Sequence, residues 1–392
     1  MSVSRLLSFL AVFTAIMGGL HYYVWARLVR DPALPALWAR ALTALLLGLA
    51  VAIPLSMFGS RFFSGPPMRA LTWVVFIWMG VGFLLAAVLF AVDVARFLAW
   101  GAAWIATRLS DTEHPSDPAR RLLLTRAIAG GVGFGVLGLA GLGMRSALGA
   151  VQVKELDIQV RNLPPALAGM KVVQISDLHI GPLLRKEWVQ HVVARIRSLA
   201  PDLIAITGDL VDGSVAQLAA QVQPLAGLRA PRGVYFVTGN HEYYSGVGEW
   251  LAHLPSLGIT PLVNQRVEVA PGLDLAGIPD LTAESLGHPH APDLSRTLAG
   301  RDPQRPLILL AHQPRQFLEA AAHDVALTLS GHTHGGQIWP FGLLVGLAQP
   351  YVAGLHRRGE SQIYVSRGTG FWGPPLRVFA PAEITLLRLQ PA

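Results

Sequence analysis

Eight polar residues, Asp177, His179, Asp209, Asn240, His241, His312, His332 and His334, share one setting in the chain. Each stands at or just beyond the C-terminal end of a short apolar run: KVVQISDLH, PDLIAITGD, GVYFVTGNHE, PLILLAH and ALTLSGHTH. Carboxylates, imidazoles and an amide, in a chain with no cysteine, suit borderline divalent ions such as Mn, Fe or Zn better than an all-oxygen calcium cage. Two such ions about 3.5–4 Å apart can hold a bridging hydroxide and polarise both the attacking and the leaving oxygen of an in-line displacement at phosphorus. Singly the residues say little. An Asp or Asn after a strand is ordinarily a turn former or helix cap, and a lone histidine is ordinarily a satisfied core residue. Five tips of matching donor type point instead to one shared site.

The elements that must bring these tips together can be read from periodicity. Continuous Val/Ile/Leu runs are the mark of parallel strands buried on both faces, and open α/β sheets place their ligands beyond the carboxyl ends of such strands. Lys186–Leu199 has apolar residues at helical spacing and supplies a first crossover, Val215–Leu228 a second and Trp250–Leu257 a third. LVNQRVEVA and LDLAGI read as further strands, and the alternation of Val151, Val153, Leu156, Ile158 and Val160 as an entering strand. The expected fold is α/β, a two-layered β-sandwich flanked by helices with the polar tips at one rim.

Taken in order, the tips resemble the motif set of the calcineurin-like metallophosphoesterases, D-x-H, G-D, G-N-H-[DE], H and G-H-x-H. They stand here as Asp177-Leu178-His179, Gly208-Asp209, Gly239-Asn240-His241-Glu242, His312 and Gly331-His332-Thr333-His334. The resemblance covers roughly Val151 to Arg388. It implies a metal-dependent phosphoric ester hydrolase with two divalent ions. Asp177, His179 and His334 would hold one ion, Asn240, His312 and His332 the other, and Asp209 would bridge them. His241 would stay unligated beside the phosphoryl group, stabilising its charge or protonating the leaving oxygen, work suited to an imidazole near neutral pH. Within the family, the membrane-anchored branch is similar to enzymes acting on UDP-2,3-diacylglucosamine in lipid A biosynthesis, a pyrophosphate substrate carrying two acyl chains.

The 392 residues exceed one ordinary domain. The chain is 52% hydrophobic with a mean hydropathy of +0.45, and the excess lies before residue 150. Residues 1–146 are therefore expected to form an all-α transmembrane region with four spans, 6–26, 41–58, 70–92 and 122–144, each near the roughly 20 helical residues that cross a bilayer. The phosphoesterase domain is expected over 147–392. The first three spans hold no charge and the last only Arg126 near its start, and Gly131, Gly135, Gly138 and Gly141 in the last should let another helix approach closely. Thr107–Ala119 is expected as a loop. The net charge of +7 invites nucleic acid, but the basic residues are scattered among apolar segments without an aromatic-basic stripe. The bilayer is the expected partner and nucleic acid is not.

The loops set an orientation. Arg27, Arg30, Arg40, Arg96, Arg108, Arg120 and Arg121 outweigh Arg5, Arg61, Arg69, Arg145 and Lys154 on the other side. The positive-inside rule then places both termini, and the phosphoesterase domain, on the extracytoplasmic side of the plasma membrane. PARRLLLTRAIAGGVGFGV reads either as a twin-arginine export signal or as a plain topology anchor. The lipid A step faces the cytoplasm, in conflict with this orientation, so such a molecule is one candidate among phosphorylated, lipid-linked substrates.

Some residues admit two readings. Glu242 either orients a ligand or caps the next helix. Arg367 either meets a substrate phosphate or lies on the surface. His288 and His290 in GHPHAP are expected in a solvated loop rather than a third metal motif. Gly336–His356, GQIWPFGLLVGLAQPYVAGLH, is either core or a lip that dips into a bilayer or accepts an acyl chain. For function, the rival to the hydrolase is a non-enzymatic transporter or scaffold carrying an inert domain. The intact donor set favours the hydrolase.

Overall fold

The computed structural model describes residues 3–59, 63, 65–110 and 117–392, without the side chains of 3–11, 58, 109 and 110. Two compact units divide the chain, Met1–Gly143 and Met144–Ala392.

In the first unit α1 (Val3–Trp25) runs into a π-helical turn, Ala26–Arg30, followed by α2 (Ala36–Gly59), which continues through Pro54, and α3 (Pro66–Ser110). The helix α4 (Pro118–Leu148) begins here. Among the described residues, the segments Ala36–Met57, Pro66–Arg108 and Pro118–Leu148 are long and apolar enough to cross a bilayer, which marks the chain as membrane-associated. The first expected span is helical as well, but its opening side chains, Arg5 included, lie outside the described residues, as does Arg61. Two expectations change. The helix α3 runs on past Val92 and absorbs the start of the loop expected from Thr107, because no proline interrupts residues 93–110; residues 111–116 lie outside the described residues. Asp93 thereby falls inside a helix, where it accepts hydrogen bonds from the Tyr23 hydroxyl at 2.6 Å and Arg27 Nε at 2.9 Å and ties α3 to α1 and its π-helical turn. The glycines of α4 leave room for a close neighbour, but among the described residues none fills it. A Cβ at Gly131, Gly135, Gly138 or Gly141 would meet nothing within 4 Å, since α4 buries the opposite stripe, Val132, Val136 and Ala140.

The second unit is a sandwich of two six-stranded sheets. Its strands are β1 (Gln152–Val160), β2 (Lys171–Ile175), β3 (Leu203–Thr207), β4 (Val234–Val237), β5 (Thr260–Pro261) and β6 (Gln265–Ala270). They continue with β7 (Leu273–Gly277), β8 (Leu307–Leu310), β9 (Leu327–Ser330), β10 (Gly354–Arg358), β11 (Ser361–Val365) and β12 (Glu383–Pro391). One sheet has the order β1-β12-β2-β3-β4-β5, the other β10-β11-β9-β8-β7-β6. Val172, Leu203, Ala205, Leu275, Ile308, Leu310 and Leu329 fill the space between the sheets. Helices α5 (Lys186–Ser198), α6 (Val215–Val222), α7 (Asn240–Tyr244) and α8 (Val247–His253) follow the strands of the first sheet. Val189, Val192 and Ile196 of α5 and Trp250 of α8 pack on Val173, Ile175 and Phe236, as the helical spacing requires. The short helices α9 (Thr282–Ser285), α10 (Leu294–Leu298), α11 (Phe317–Ala322) and α12 (Phe341–Ala348) belong to the second half. Phe317 and Ala320 of α11 cover Leu307, Leu309 and Ile363 on the outer face of the second sheet.

Candidate metal centre

All five apolar runs are strands, and their C-terminal tips converge across the sandwich. The parallel neighbours β2, β3 and β4 deliver Asp177 and His179, Asp209, and Asn240 and His241; β8 and β9 of the other sheet deliver His312, and His332 and His334. The chain leaves these strands in strained turns. Asp177, His179, Asp209, His332 and His334 all have φ between 47° and 71°, a left-handed conformation that non-glycine residues rarely adopt and that clusters at functional sites. Glycines beside them make room. A Cβ on Gly331 would lie 1.9 Å from Ser176 Oγ and 2.4 Å from Asp177 Oδ2, and one on Gly239 2.2 Å from Asp209 Oδ1.

Two donor clusters of the expected ligands result, Asp177 with His179 and His334, and Asp209 with His312 and His332, and His179 forms a third group with Asp212 and His241. In the first, Nε2 of His179 lies 3.1 Å from Nε2 of His334, which is 3.5 Å from Asp177 Oδ1. In the second, Nδ1 of His332 lies 3.2 Å from Nε2 of His312 and 3.0 Å from Asn240 Oδ1. Asp209 Oδ2 faces both, 3.7 Å from His179 Nε2 and 3.3 Å from His312 Nε2. The outer nitrogens are engaged elsewhere: Nδ1 of His312 with the Thr207 carbonyl at 2.7 Å, and Nδ1 of His179 with Asp212 Oδ1 at 2.9 Å. Buried imidazole nitrogens this close to one another and to carboxylates could hold cations among them, and an imidazole anchored through its outer nitrogen is the usual form of a metal ligand. The donor set fits a pair of divalent ions.

The sequence profile of the calcineurin-like phosphoesterases matches residues 170–336, the stretch that holds all eight residues. A metallophosphoesterase of Helicobacter pylori is 41% identical over 276 residues, which cover 70% of this chain and 73% of that one. The chain belongs to the metallophosphoesterases. A transmembrane protein with metallophosphoesterase domain from Bos taurus is 40% identical over 290 residues, 70% of this chain and 65% of its own, and a metallophosphoesterase of Aquifex aeolicus is 34% identical over 242 residues, 61% and 92%. Metallophosphoesterase domains bind two divalent ions, so this is a metal-dependent phosphoesterase.

Around the metallophosphoesterase centre stand residues that sequence reading missed or left open. Asp212, three positions past Asp209, was missed, although a second acid on the same tip was a usable signal. Its Oδ1 is 2.7 Å from Nδ1 of His241 and 2.9 Å from Nδ1 of His179. Burial opposes charge on His179, yet Asp212 and then Asp209 carry its pKa up to about 9, while the two histidines hold the Asp212 carboxyl well below its usual range. His332, by contrast, is pushed down to about 4 by burial and the neighbouring His312. Glu242 fills both roles left open for it. Its Oε2 accepts the backbone N–H of Gly239 at 2.6 Å, capping α7, and of Asp209 at 3.0 Å, while Oε1 accepts that of Leu210 at 2.8 Å. Burial and then the charge of Asp209 raise its pKa to about 7.

Arg377 had no signal in the sequence, because nothing local marks an arginine as buried. It is 1% exposed, and its guanidinium donates to the carbonyls of His334, Arg367, Gly370 and Ala380 while Nη2 lies 3.3 Å from His334 Nδ1. Burial lowers its pKa to about 10. Arg367 is half-buried with its side chain against Gly335, next to His334. The rings of His288 and His290 are 4.8 Å apart, and His288 packs on Tyr243; neither joins a group of three donors among the described residues. Of the apolar segment after His334, Gly336, Gln337, Ile338 and Gln349 are buried, but no residue of α12 is. Eight residues with no charged or polar side chain leave the strand layers already filled, and the helix stays at the surface.

Proposed function

We propose that this metallophosphoesterase is a multi-pass membrane hydrolase, with its anchor in residues 1–146 and its catalytic region in 147–392, that cleaves a phosphoester or pyrophosphate bond of a lipid-linked substrate. The observation that carries the hydrolase is Asp209, whose Oδ2 faces both donor clusters, 3.7 Å from His179 and 3.3 Å from His312. Asp177, His179 and His334 would hold one divalent ion, Asn240, His312 and His332 the other, and Asp209 both. When bound, such a pair supplies Lewis acidity at the phosphoryl oxygens and makes water a competent nucleophile near neutral pH.

The chain's own residues do the rest. Asp212 engages Nδ1 of His241 and leaves Nε2 for the substrate. As the bond from phosphorus to the leaving oxygen breaks and the oxygen of water takes its place, Nε2–H of His241 gives its proton to the leaving oxygen. The Asp212 carboxylate, 2.7 Å from Nδ1, fixes the orientation of the ring. Tyr244 and Trp372, with ring centroids 5.5 and 5.6 Å from that of His241, wall the leaving-group side.

A lipid-linked substrate is supported by the long apolar helices and by the exposure of Tyr244 and Trp372 beside His241; a UDP-diacylglucosamine-like molecule is one of this class. The distribution of arginines supports a catalytic region on the extracytoplasmic side of the plasma membrane. The substrate class is tested with the full chain in nanodiscs, supplied with Mn²⁺, by comparing kcat/KM for an acylated diester and its deacylated headgroup. Binding energy from remote acyl chains can be used at the phosphoryl group, so the acylated substrate should be favoured by about tenfold or more. Equal values would contradict the lipid-linked substrate and leave the hydrolase standing.

A further inference from the structure

The second sheet carries a polar tip that the two donor clusters leave unused. The strand β7 and its exit read LDLAGIPD, an apolar run that closes on Asp280 in the manner of the five site strands. It lies parallel to β8 with Gly277 opposite Leu310, so Asp280 and His312 leave neighbouring strands at the same end. Asp280 is fully buried. Its N–H donates at 3.2 Å to Oγ1 of Thr238, two residues before Asn240. Its Oδ1 accepts from the Thr282 N–H at 2.8 Å and from Nε2 of Gln313, the residue after His312, at 3.2 Å. The carboxylate therefore stands between the turns that carry Asn240 and His312, and its charge reaches His312 and His332. Oδ2 is buried and has no hydrogen-bond partner among the described residues. A buried carboxylate so placed is costly unless positive charge lies near it. The other buried acids outside the donor clusters are engaged: Asp274 meets Arg266 and Arg305, Glu242 takes backbone N–H groups on both oxygens, and Glu383 accepts from the Tyr364 hydroxyl.

Charge is divided unevenly between the two sets of candidate ligands. Asp177, His179 and His334 include a carboxylate of their own besides the shared Asp209. Asn240, His312 and His332 bring an amide and two imidazoles, and Asp209 is their only acid. A divalent ion held in a buried site by neutral donors gains from any further negative charge close by. We propose that Asp280 is the outer carboxylate of the ion held by Asn240, His312 and His332. It joins no group of three donors within ligand distance, so it acts on that ion without ligating it, supplying the charge that the neutral donors lack and raising affinity at this one position. The inference rests on the two-ion reading of the centre and adds to it a residue that sets the affinity of one ion and not the other.

Asp280→Asn tests this, because an amide oxygen can still accept from Thr282 and Gln313 while the charge is gone. The full chain in detergent would be stripped by chelator and titrated with Mn²⁺ by calorimetry, and Asn240→Ala would mark which binding step belongs to this ion. That step should weaken about 10–100-fold in Asp280→Asn, the usual effect of losing a partner behind a ligand, with the other step unchanged. Thermal unfolding separates charge from scaffolding. Stripped Asp280→Asn should melt no lower than the stripped parent, and Mn²⁺ should raise its Tm by less. Thr238→Val removes a hydrogen bond to Asp280 but not its charge, and should keep the parental affinity. Two steps of parental affinity in Asp280→Asn would overturn the proposal and leave the two-ion centre standing. An equal loss in Thr238→Val would overturn it as well, by making the role of Asp280 one of folding alone. A single step in the parent would overturn the two-ion reading and the proposal with it.

Discussion

Asp212 Oδ1 stands 2.7 Å from Nδ1 of His241 and, through the same oxygen, 2.9 Å from Nδ1 of His179. One carboxylate thus contacts a candidate ligand and the histidine proposed for proton transfer. Asp212→Asn keeps the shape and removes the charge. It should cost about 10–100-fold in metal affinity or turnover, the usual effect of losing a partner behind a ligand. Metal titration and kcat measured on the same preparation check this, and unchanged values for both would remove Asp212 from the centre.

His241→Ala separates the proton donor from the ligands. Turnover should fall about 10²–10⁴-fold, the range for a positioned acid–base group, with the metal content of the purified protein unchanged. The loss should shrink for a substrate whose leaving group is already a weak base, such as nitrophenolate. An equal loss on alkyl and nitrophenyl esters would speak against protonation of the leaving oxygen.

Glu242 is held by backbone N–H groups on both oxygens, so Glu242→Gln must turn an NH₂ toward two of them. Each buried donor left without a partner costs about 1–3 kcal/mol. At this domain size that is about 2–4 °C of Tm per kcal/mol. Thermal unfolding of the full chain in detergent reads the shift. A variant as stable as the parent would mean that the turn from Asp209 to Val211 does not depend on this carboxylate.

The proposed sidedness is tested with reporters. A reporter fused after Arg145 should be active only outside the cytoplasm, and one placed between α3 and α4 only inside. The opposite pattern would return the catalytic region to the cytoplasm. Replacing Arg120 and Arg121 by lysine separates an export signal from an anchor, since only an export signal requires the pair.

Much of the site was legible because its chemistry is local: a buried strand followed by Asp, Asn or His advertises both the strand and the donor it carries. The sandwich followed from the same runs, and the crossover helices from their spacing. What escaped depends on three-dimensional neighbours. Arg377 is bonded to carbonyls of residues 334 to 380, contacts that no spacing encodes. The end of α3 lies past the expected span because residues 93–110, Asp93, Arg96 and Arg108 included, continue the helix beyond the length a bilayer needs, and hydropathy marks the membrane's thickness rather than the helix's end. The glycines of α4 could show only that close approach was permitted, not that a partner was there. For α12, composition gave equal support to core and to surface, and only the filled sheets around it decide.

The central claim is that Asp209 serves two divalent ions at once. The most direct measurement is metal content and hydrolysis of a nitrophenyl diester on the same full-length preparation, stripped by chelator and titrated with Mn²⁺, for the parent and for Asp209→Ala. The parent should regain activity as its second equivalent binds, and Asp209→Ala should fail to retain two ions and stay inactive. An Asp209→Ala protein that holds two ions and hydrolyses the diester at the parental rate would contradict the account.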